Sequence, residues 1–243
     1  MWTETFFGKY YLRTHNPILT EKKTNEEIDF IIDVLDLPKE SKILDLPCGH
    51  GRHSIILSEK GYKVTGIDIQ EDFITLAKEQ KSNVDFLVQD MRKIEYDSEF
   101  DAVINMFTSL GYFDEGENAL VVKKMSKTLK SGGKLLIDTV NREWIMHHTG
   151  EIDQAWMLYP DDNLTFLANN SFDVFTGRMH SKQVIVENNE RHIQEQDIRL
   201  YTFTELRLIL EIHGLEVLNV WGSFKGEEYT VDSKNMIILA QKI

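Results

Sequence analysis

The chain has 243 residues, 42% hydrophobic and 28% charged, which describes a water-soluble globular protein able to bury one sizeable core. Its 27 basic against 40 acidic residues leave a net charge of −13, a field that repels polyanions and argues against nucleic acid as a partner. A single cysteine, Cys48, excludes an intrachain disulfide framework and a cysteine-rich zinc site, and it suits a reducing, cytoplasmic setting. No window reaches the ~20 apolar residues of a bilayer span, so no membrane partner is expected.

With 4 prolines and no low-complexity tract, nothing reads as a linker, and a single domain over residues 1–243 is expected. Residues 1–40 form a helical cap, with Ile28, Ile31, Ile32 and Leu35 at helical spacing and a stop ahead of Pro38. Over 41–150 short apolar runs alternate with helical stretches: KILDL, HSIILSEKG, YKVTGIDI, DFITLAKEQ, VDFLV and FDAVINMF. That alternation signals a parallel sheet. The first of these helices ends at Gly61. The segment EGENALVVKKMSKTLKSGG places Ala119, Val122, Met125 and Leu129 on one helical face with glycines after it, and KLLIDTV follows as the fifth strand. Residues 151–201 change to polar–apolar alternation joined by Thr176-Gly177 and Asn188-Asn189, an inserted antiparallel meander. Residues 202–243 give a helix over Thr204–His213, with Thr202 or Thr204 as its N-cap and Gly214 after it, then a terminal pair of strands.

The chemistry concentrates where strands end. Ile43 to Ser54 (ILDLPCGHGRHS) reads as a buried strand running into a glycine loop and then a helix. Gly49 and Gly51 let main chain approach a ligand, and the free N–H groups opening the helix attract a carboxylate or phosphate. Pro47 has a fixed φ and no N–H, so main-chain donors are expected from residues 48–53 and none from Pro47. Asp68, ending the second strand, suits a ribose diol, and Asp90 with Met91 after the third strand suits the amino group and flat face of an adenine. All three lie at carboxyl ends of successive strands, where open α/β sheets bind ligands. A dinucleotide fold wants a third glycine where Arg52, His53 and Ser54 stand, and no loop ends in Gly-Lys-Ser or Gly-Lys-Thr.

LDLPCGHG, GIDI, VQDM, FDAVINMFTSLGYF and LKSGGKLLIDTVNREW together resemble the class I S-adenosylmethionine-dependent methyltransferases, in their small-molecule branch. The resemblance implies an α/β, Rossmann-like fold: a seven-stranded, mostly parallel sheet with an antiparallel last strand, a helical cap and an inserted meander. It implies bound S-adenosylmethionine, with the methionine carboxylate near Gly49 and Gly51, ribose on Asp68 and adenine near Asp90 and Met91. Asp45, Cys48, Arg52, His53, Ile69 and Asn105 complete the implied cofactor set, and Tyr10, Tyr11 and Arg13 close over it as a lid.

The activity implied is transfer of a methyl group to an N or O atom of a small-molecule acceptor by in-line displacement. A sensor that binds the nucleoside without turnover, and an enzyme acting on a peptide, stay open. Acceptor-side candidates follow strands four and five: Asn105, Phe107, Thr108, Tyr112, Asn141, Arg142 and Trp144, with no residue singled out as catalytic base. His147 and His148 are neighbours that do not face one another on a helix, so no metal is expected. The meander offers a surface for a homo-oligomer.

Overall fold

The computed structural model describes residues 2, 6–8, 10–15, 19–148, 154–159 (backbone only) and 164–243. A seven-stranded sheet contains β1 (Lys42–Asp45), β2 (Lys63–Asp68), β3 (Asp85–Val88), β4 (Phe100–Asn105), β5 (Leu129–Val140), β10 (Leu215–Trp221) and β11 (Asn235–Lys242). Their order is β10-β11-β5-β4-β1-β2-β3, and only β11 runs antiparallel to its neighbours. The order reverses between β1 and β4, so a crevice opens beyond their carboxyl ends.

Alternation along the strands builds a core on each face. Ile43, Ala102, Ile104, Leu136 and Ile237 pack on one side, together with Ile28, Ile31 and Leu35 of helix α2 (Glu21–Leu35). Leu44, Val103, Leu135 and Ile137 pack on the other side with α5 (Glu115–Thr128) and α7 (Phe203–Ile212). Helix α2 starts on the Thr20 side chain and ends at a left-handed Asp36, ahead of Pro38. Of the four positions expected on its apolar face Ile32 is only half-buried, while Glu27 is buried. Thr202, not Thr204, caps α7, in a reciprocal capping box with Glu205.

Two expectations change. Leu129 leaves the helix and opens β5 opposite Phe100, so the glycines after it do not cap a helix. Gly132, at φ +75°, and Gly133 instead form the irregularity that carries the strand from Leu129 to Lys134. The meander also has one more strand than the three that its two expected turns imply. Strand β6 (Gln154–Tyr159) joins β7 (Leu164–Asp173), β8 (Arg178–Glu187) and β9 (Glu190–Arg199) in a four-stranded antiparallel sheet. Asn188 and Asn189, both at positive φ, make the two-residue turn between β8 and β9.

Candidate active site

The crevice at the reversal point is a cleft with about 900 Å³ of atom-free space, its open mouth included. Its floor is the turn from β1 into α3 (Arg52–Glu59). The Cys48 N–H donates to Ile67 O at 2.8 Å and the Gly51 N–H to Cys48 O at 3.0 Å, so the turn hangs from β2 and closes on itself. Gly49 has φ +54°, and a Cβ there would meet no atom within 4 Å. Gly51 has φ +82°, but a Cβ there would stand 2.6 Å from the Phe86 ring. The first glycine therefore faces open cleft, whereas the second lets α3 close down on β3. Pro47, with no donor role expected of it, contributes wall, as do Cys48, His50, Arg52 and His53.

Asp68 ends β2, almost fully buried on the cleft wall. Its Oδ2 accepts the Gly49 N–H at 2.8 Å and its Oδ1 the Gln70 N–H at 2.8 Å. Burial pushes this carboxyl above its ordinary pKa, and the backbone donors oppose that rise. One side chain thus anchors the glycine loop and also faces the cleft. Ile69 lies beside it, and Gln89, Asp90 and Met91 continue the wall after β3. Asp90 is paired: Arg92 Nη2 donates to Oδ2 at 2.6 Å, and the Arg92 N–H donates to Oδ1 at 2.9 Å. Partial burial raises the Asp90 pKa, but these bonds outweigh it and hold the carboxyl below its usual value.

The opposite wall comes from the loop after β4 and from the N-terminal segment. Phe107 and Thr108 both adopt left-handed backbone, at φ +59° and +57°, which costs a non-glycine residue about 1–2 kcal/mol. Asp138 of β5 holds this strained pair: the Phe107 N–H donates to its Oδ2 at 3.0 Å and the Thr108 N–H to its carbonyl at 3.0 Å. Burial pushes the Asp138 carboxyl up to about 6. Phe107, Ser109, Tyr112 and Phe113 line the cleft from this loop, with Phe7, Tyr11 and Leu19 across from them. Burial holds the phenols of Tyr11 and Tyr112 well above their ordinary pKa.

Arg52 and His53 both reach back to Glu27 on α2. Arg52 Nη1 donates to Glu27 Oε2 and, at 3.1 Å, to Thr24 Oγ1, while His53 Nε2 lies 2.8 Å from the same carboxylate oxygen. Burial would raise the Glu27 pKa, but these cationic and hydrogen-bonding partners bring it to about 2. Burial first, and then the Arg52 charge, lower His53 to about 4, so its imidazole is neutral.

Besides Gly51, eight residues expected at the site lie off the cleft wall. Asp45 sits beneath the loop, takes a 2.6 Å bond from Ser54 Oγ, and has its pKa pushed by burial to about 7. Asn105 is buried in the sheet, where its Nδ2 donates to Leu46 O at 2.6 Å. Both retain one buried oxygen, Oδ1, without a hydrogen-bond partner among the described residues. Thr108 turns its hydroxyl to the Val140 N–H at 3.1 Å. Asn141 caps α6 (Arg142–His147) and ties down the Thr230 and Ser233 carbonyls, Arg142 pairs with Glu205, and Trp144 stacks on His148. Tyr10 and Arg13 turn away from Tyr11 to the meander, both bonding Glu187, at 3.0 and 2.6 Å.

Glu27 and Asp138 were not anticipated as site residues. Their signals, a carboxylate on the buried face of an amphipathic helix and another inside a strand, were present in the sequence. Among the described residues no group of three or more His, Cys, Asp or Glu side chains could hold a metal, and no helix is long and apolar enough to cross a membrane.

A family model described as a methyltransferase domain matches residues 43–133. Over 221 residues the chain is 31% identical to YqeM of Bacillus subtilis (strain 168), a protein classed with the methyltransferases, covering 85% of this chain and 86% of the relative. An S-adenosylmethionine-dependent methyltransferase from Clostridium acetobutylicum ATCC 824 superposes with a TM-score of 0.77 at 18% identity, covering 90% of this chain and 92% of its own. S-adenosylmethionine-bound CalS10, an amino pentose methyltransferase from Micromonospora echinaspora, superposes with a TM-score of 0.71 at 18% identity, covering 97% and 98%.

Proposed function

The chain belongs to the class I S-adenosylmethionine-dependent methyltransferases, and we propose that its acceptor is the amine nitrogen of a small molecule, held at the aromatic end of the cleft. S-Adenosylmethionine supplies an electrophilic methyl on sulfur with a neutral thioether as leaving group. The residues present suit that cofactor. Beside Gly49 there is open space and the N-terminus of α3, a setting for a carboxylate. Each Asp68 oxygen takes one N–H bond and keeps lone-pair capacity for a ribose hydroxyl. Ile69, Phe73 and Met91 offer apolar walls for a purine, with Asp90 at their edge.

The acceptor assignment is carried by the geometry of the wall: its aromatic end is lined by Phe7, Tyr11, Phe107, Tyr112 and Phe113, and the lining carboxylates Asp68 and Asp90 are already hydrogen-bonded. At neutral pH Tyr11 and Tyr112 keep their protons, Asp90 is engaged by Arg92, and Asp68 is engaged by backbone N–H groups. The imidazoles of His50 and His53 have been made weaker bases by burial. A hydroxyl acceptor needs a base to take its proton during attack. A neutral amine brings its own lone pair, and a low-dielectric aromatic wall favours that uncharged form. Positioning against the methyl carbon and exclusion of water by Phe7 and Tyr11 then supply the acceleration. CalS10, whose substrate carries an amino group on a sugar, supports the same choice.

The test is release of S-adenosylhomocysteine with matched pairs such as benzylamine and benzyl alcohol. The amine is expected to react, with kcat/KM rising with pH toward the amine pKa; turnover of alcohols or phenols alone would overturn the assignment. By calorimetry, Asp68→Ala should weaken cofactor binding at least tenfold, and an unchanged Kd would remove the ribose role.

A further inference from the structure

Two neighbours in the loop after β4 carry strain that glycine would avoid. Phe107 and Thr108 both stand in left-handed backbone, and a β-branched residue such as Thr108 tolerates that region least. Such strain persists only where the surroundings hold it, and it gathers at working sites. Here the hold comes from the sheet. The Phe107 N–H donates to Asp138 Oδ2 at 3.0 Å and the Thr108 N–H to the Asp138 carbonyl at 3.0 Å, while the Val140 N–H donates to Thr108 Oγ1 at 3.1 Å. Asp138 is itself fixed, being 3% exposed and taking a 2.7 Å bond at its Oδ1 from Asn235 Nδ2 of β11. It stands behind the cleft wall, so it reaches the cleft only through Phe107, which lines it.

What the strained pair achieves is the direction of one ring. The Phe107 ring centroid lies 5.6 Å from Arg52 Cζ and 5.7 Å from Lys23 Nζ, and Arg52 is in turn held by Thr24 and Glu27 of α2. The ring is therefore fixed from two sides, by β5 through its backbone and by α2 through Arg52. Accuracy of this kind matters for an in-line displacement, because reacting atoms must stand about 3–3.5 Å apart and a misplacement of about 1 Å can cost roughly 100-fold in rate. We infer that Asp138, seated by Asn235, is a positioning residue for methyl transfer: by bonding the Phe107 N–H it fixes the ring against which the acceptor is aligned with the methyl carbon. The role asks for a hydrogen-bond acceptor and not for a charge. An amide at position 138 can fill it, its oxygen accepting from Phe107 while Asn235 turns its own oxygen to the amide nitrogen.

This inference rests on the reading above that the acceptor is held at the aromatic end of the cleft, and one of its two readouts needs no acceptor. In the full chain 4-fluorophenylalanine replaces Phe107, and its fluorine resonance is recorded with S-adenosylhomocysteine bound; methyl transfer to benzylamine and to benzyl alcohol is measured on the unlabelled chain. Asp138→Ala is expected to shift or split the single wild-type resonance and to lower kcat at least tenfold, while the Kd for S-adenosylhomocysteine stays within twofold of wild type. Asp138→Asn should restore both the resonance and kcat. Asn235→Leu, which leaves Asp138 in place but unseated, should show a smaller change of the same kind, and it carries the test if Asp138→Ala does not fold. An unmoved resonance, an unchanged kcat, or a parallel fall of kcat and cofactor affinity overturns the inference, the last because a general loosening of the fold would produce it. If the resonance moves and returns as expected but benzyl alcohol alone is methylated, its kcat falling in Asp138→Ala, the positioning role stands and the amine reading falls.

Discussion

Gly49 and Gly51 share a positive φ but not an environment, and the difference separates a position open to the cleft from a packing position. Replacing either with alanine forces a side chain into left-handed backbone, at about 1–2 kcal/mol. At Gly49 that is the whole structural cost, because no atom waits within 4 Å, and the new methyl group protrudes into the space assigned to the cofactor tail. At Gly51 the methyl collides with Phe86, which adds an overpacking cost of roughly 1–3 kcal/mol. Gly49→Ala should therefore unfold about 1 kcal/mol more easily yet bind S-adenosylmethionine at least tenfold more weakly. Gly51→Ala should lose about 3 kcal/mol, partly restored by a smaller side chain at Phe86. Urea unfolding and calorimetry read both, and equal destabilisation of the two variants would contradict the assigned environments. Gly49, Asp68 and Met91, which line the cleft, were legible as candidates because each sits at a strand end inside a short contiguous motif. Asn141 and Arg142 have the same kind of position after β5, but their side chains answer to residues far along the chain, at Thr230, Ser233 and Glu205.

At the scale of elements, the cap helix α2 is more than a cover for the sheet. The periodicity of Ile28, Ile31 and Leu35 shows which face is buried, but it gives no reason for the acid buried among them. That reason is Arg52, 25 positions away and beside the glycine loop. Glu27→Gln removes the charge that holds Arg52 and accepts from His53. Loss of one partner from a buried ionic cluster costs about 3 kcal/mol, toward the lower end of the usual range because Arg52 keeps some solvent contact. The pH dependence has a definite sign. A carboxyl lowered from 4.5 to about 2 on folding contributes stability that is fully present above pH 4.5 and is lost as pH falls toward 2. His53, lowered from 6.5 to about 4, likewise penalises the folded state as pH falls through that window. Asp45 and Asp138, raised to about 7 and 6, act in the opposite sense, contributing stability at low pH that is lost as pH rises through 4 to 7. Because these contributions offset one another in the wild type, the informative quantity is a difference. The stability gap between wild type and Glu27→Gln, measured by denaturant unfolding, should be widest near pH 7 and narrow below pH 4.5. A gap independent of pH would remove the ionised Glu27 from this account.

For the molecule as a whole, the sequence shows two textures, and hydrophobic period alone separates the parallel core from the meander. How the two are joined is invisible to that pattern, since the joint consists of single long-range contacts. The Arg199 N–H donates to Gly111 O at 2.8 Å, and a Cβ on Gly111 would overlap the Arg199 carbonyl oxygen. The side chain of Arg199, a residue only 7% exposed, reaches Glu115 of α5 at 2.6 Å and Glu205 of α7 at 2.8 Å. Strand β9 is thereby tied to the cleft loop and to both helices that cover one face of the main sheet. Both glutamates are more solvent-accessible than the arginine, so they can recover hydration when it is removed, and Arg199→Met should cost about 2 kcal/mol, less than breaking a fully enclosed pair. That loss should fall on the joint and leave the strands of the core as they were, because β1, β4 and β5 draw their stability from packing on both faces. Hydrogen exchange followed by mass spectrometry should then show amides of β7 to β9 opening about thirtyfold more often while those of β1, β4 and β5 keep their protection. Cofactor affinity should persist and acceptor turnover should fall, since the loop carrying Phe107 and Tyr112 loses its outer support. Uniform loss of protection across both sheets would mean that the meander and the core form one cooperative unit, with no separable joint at Arg199.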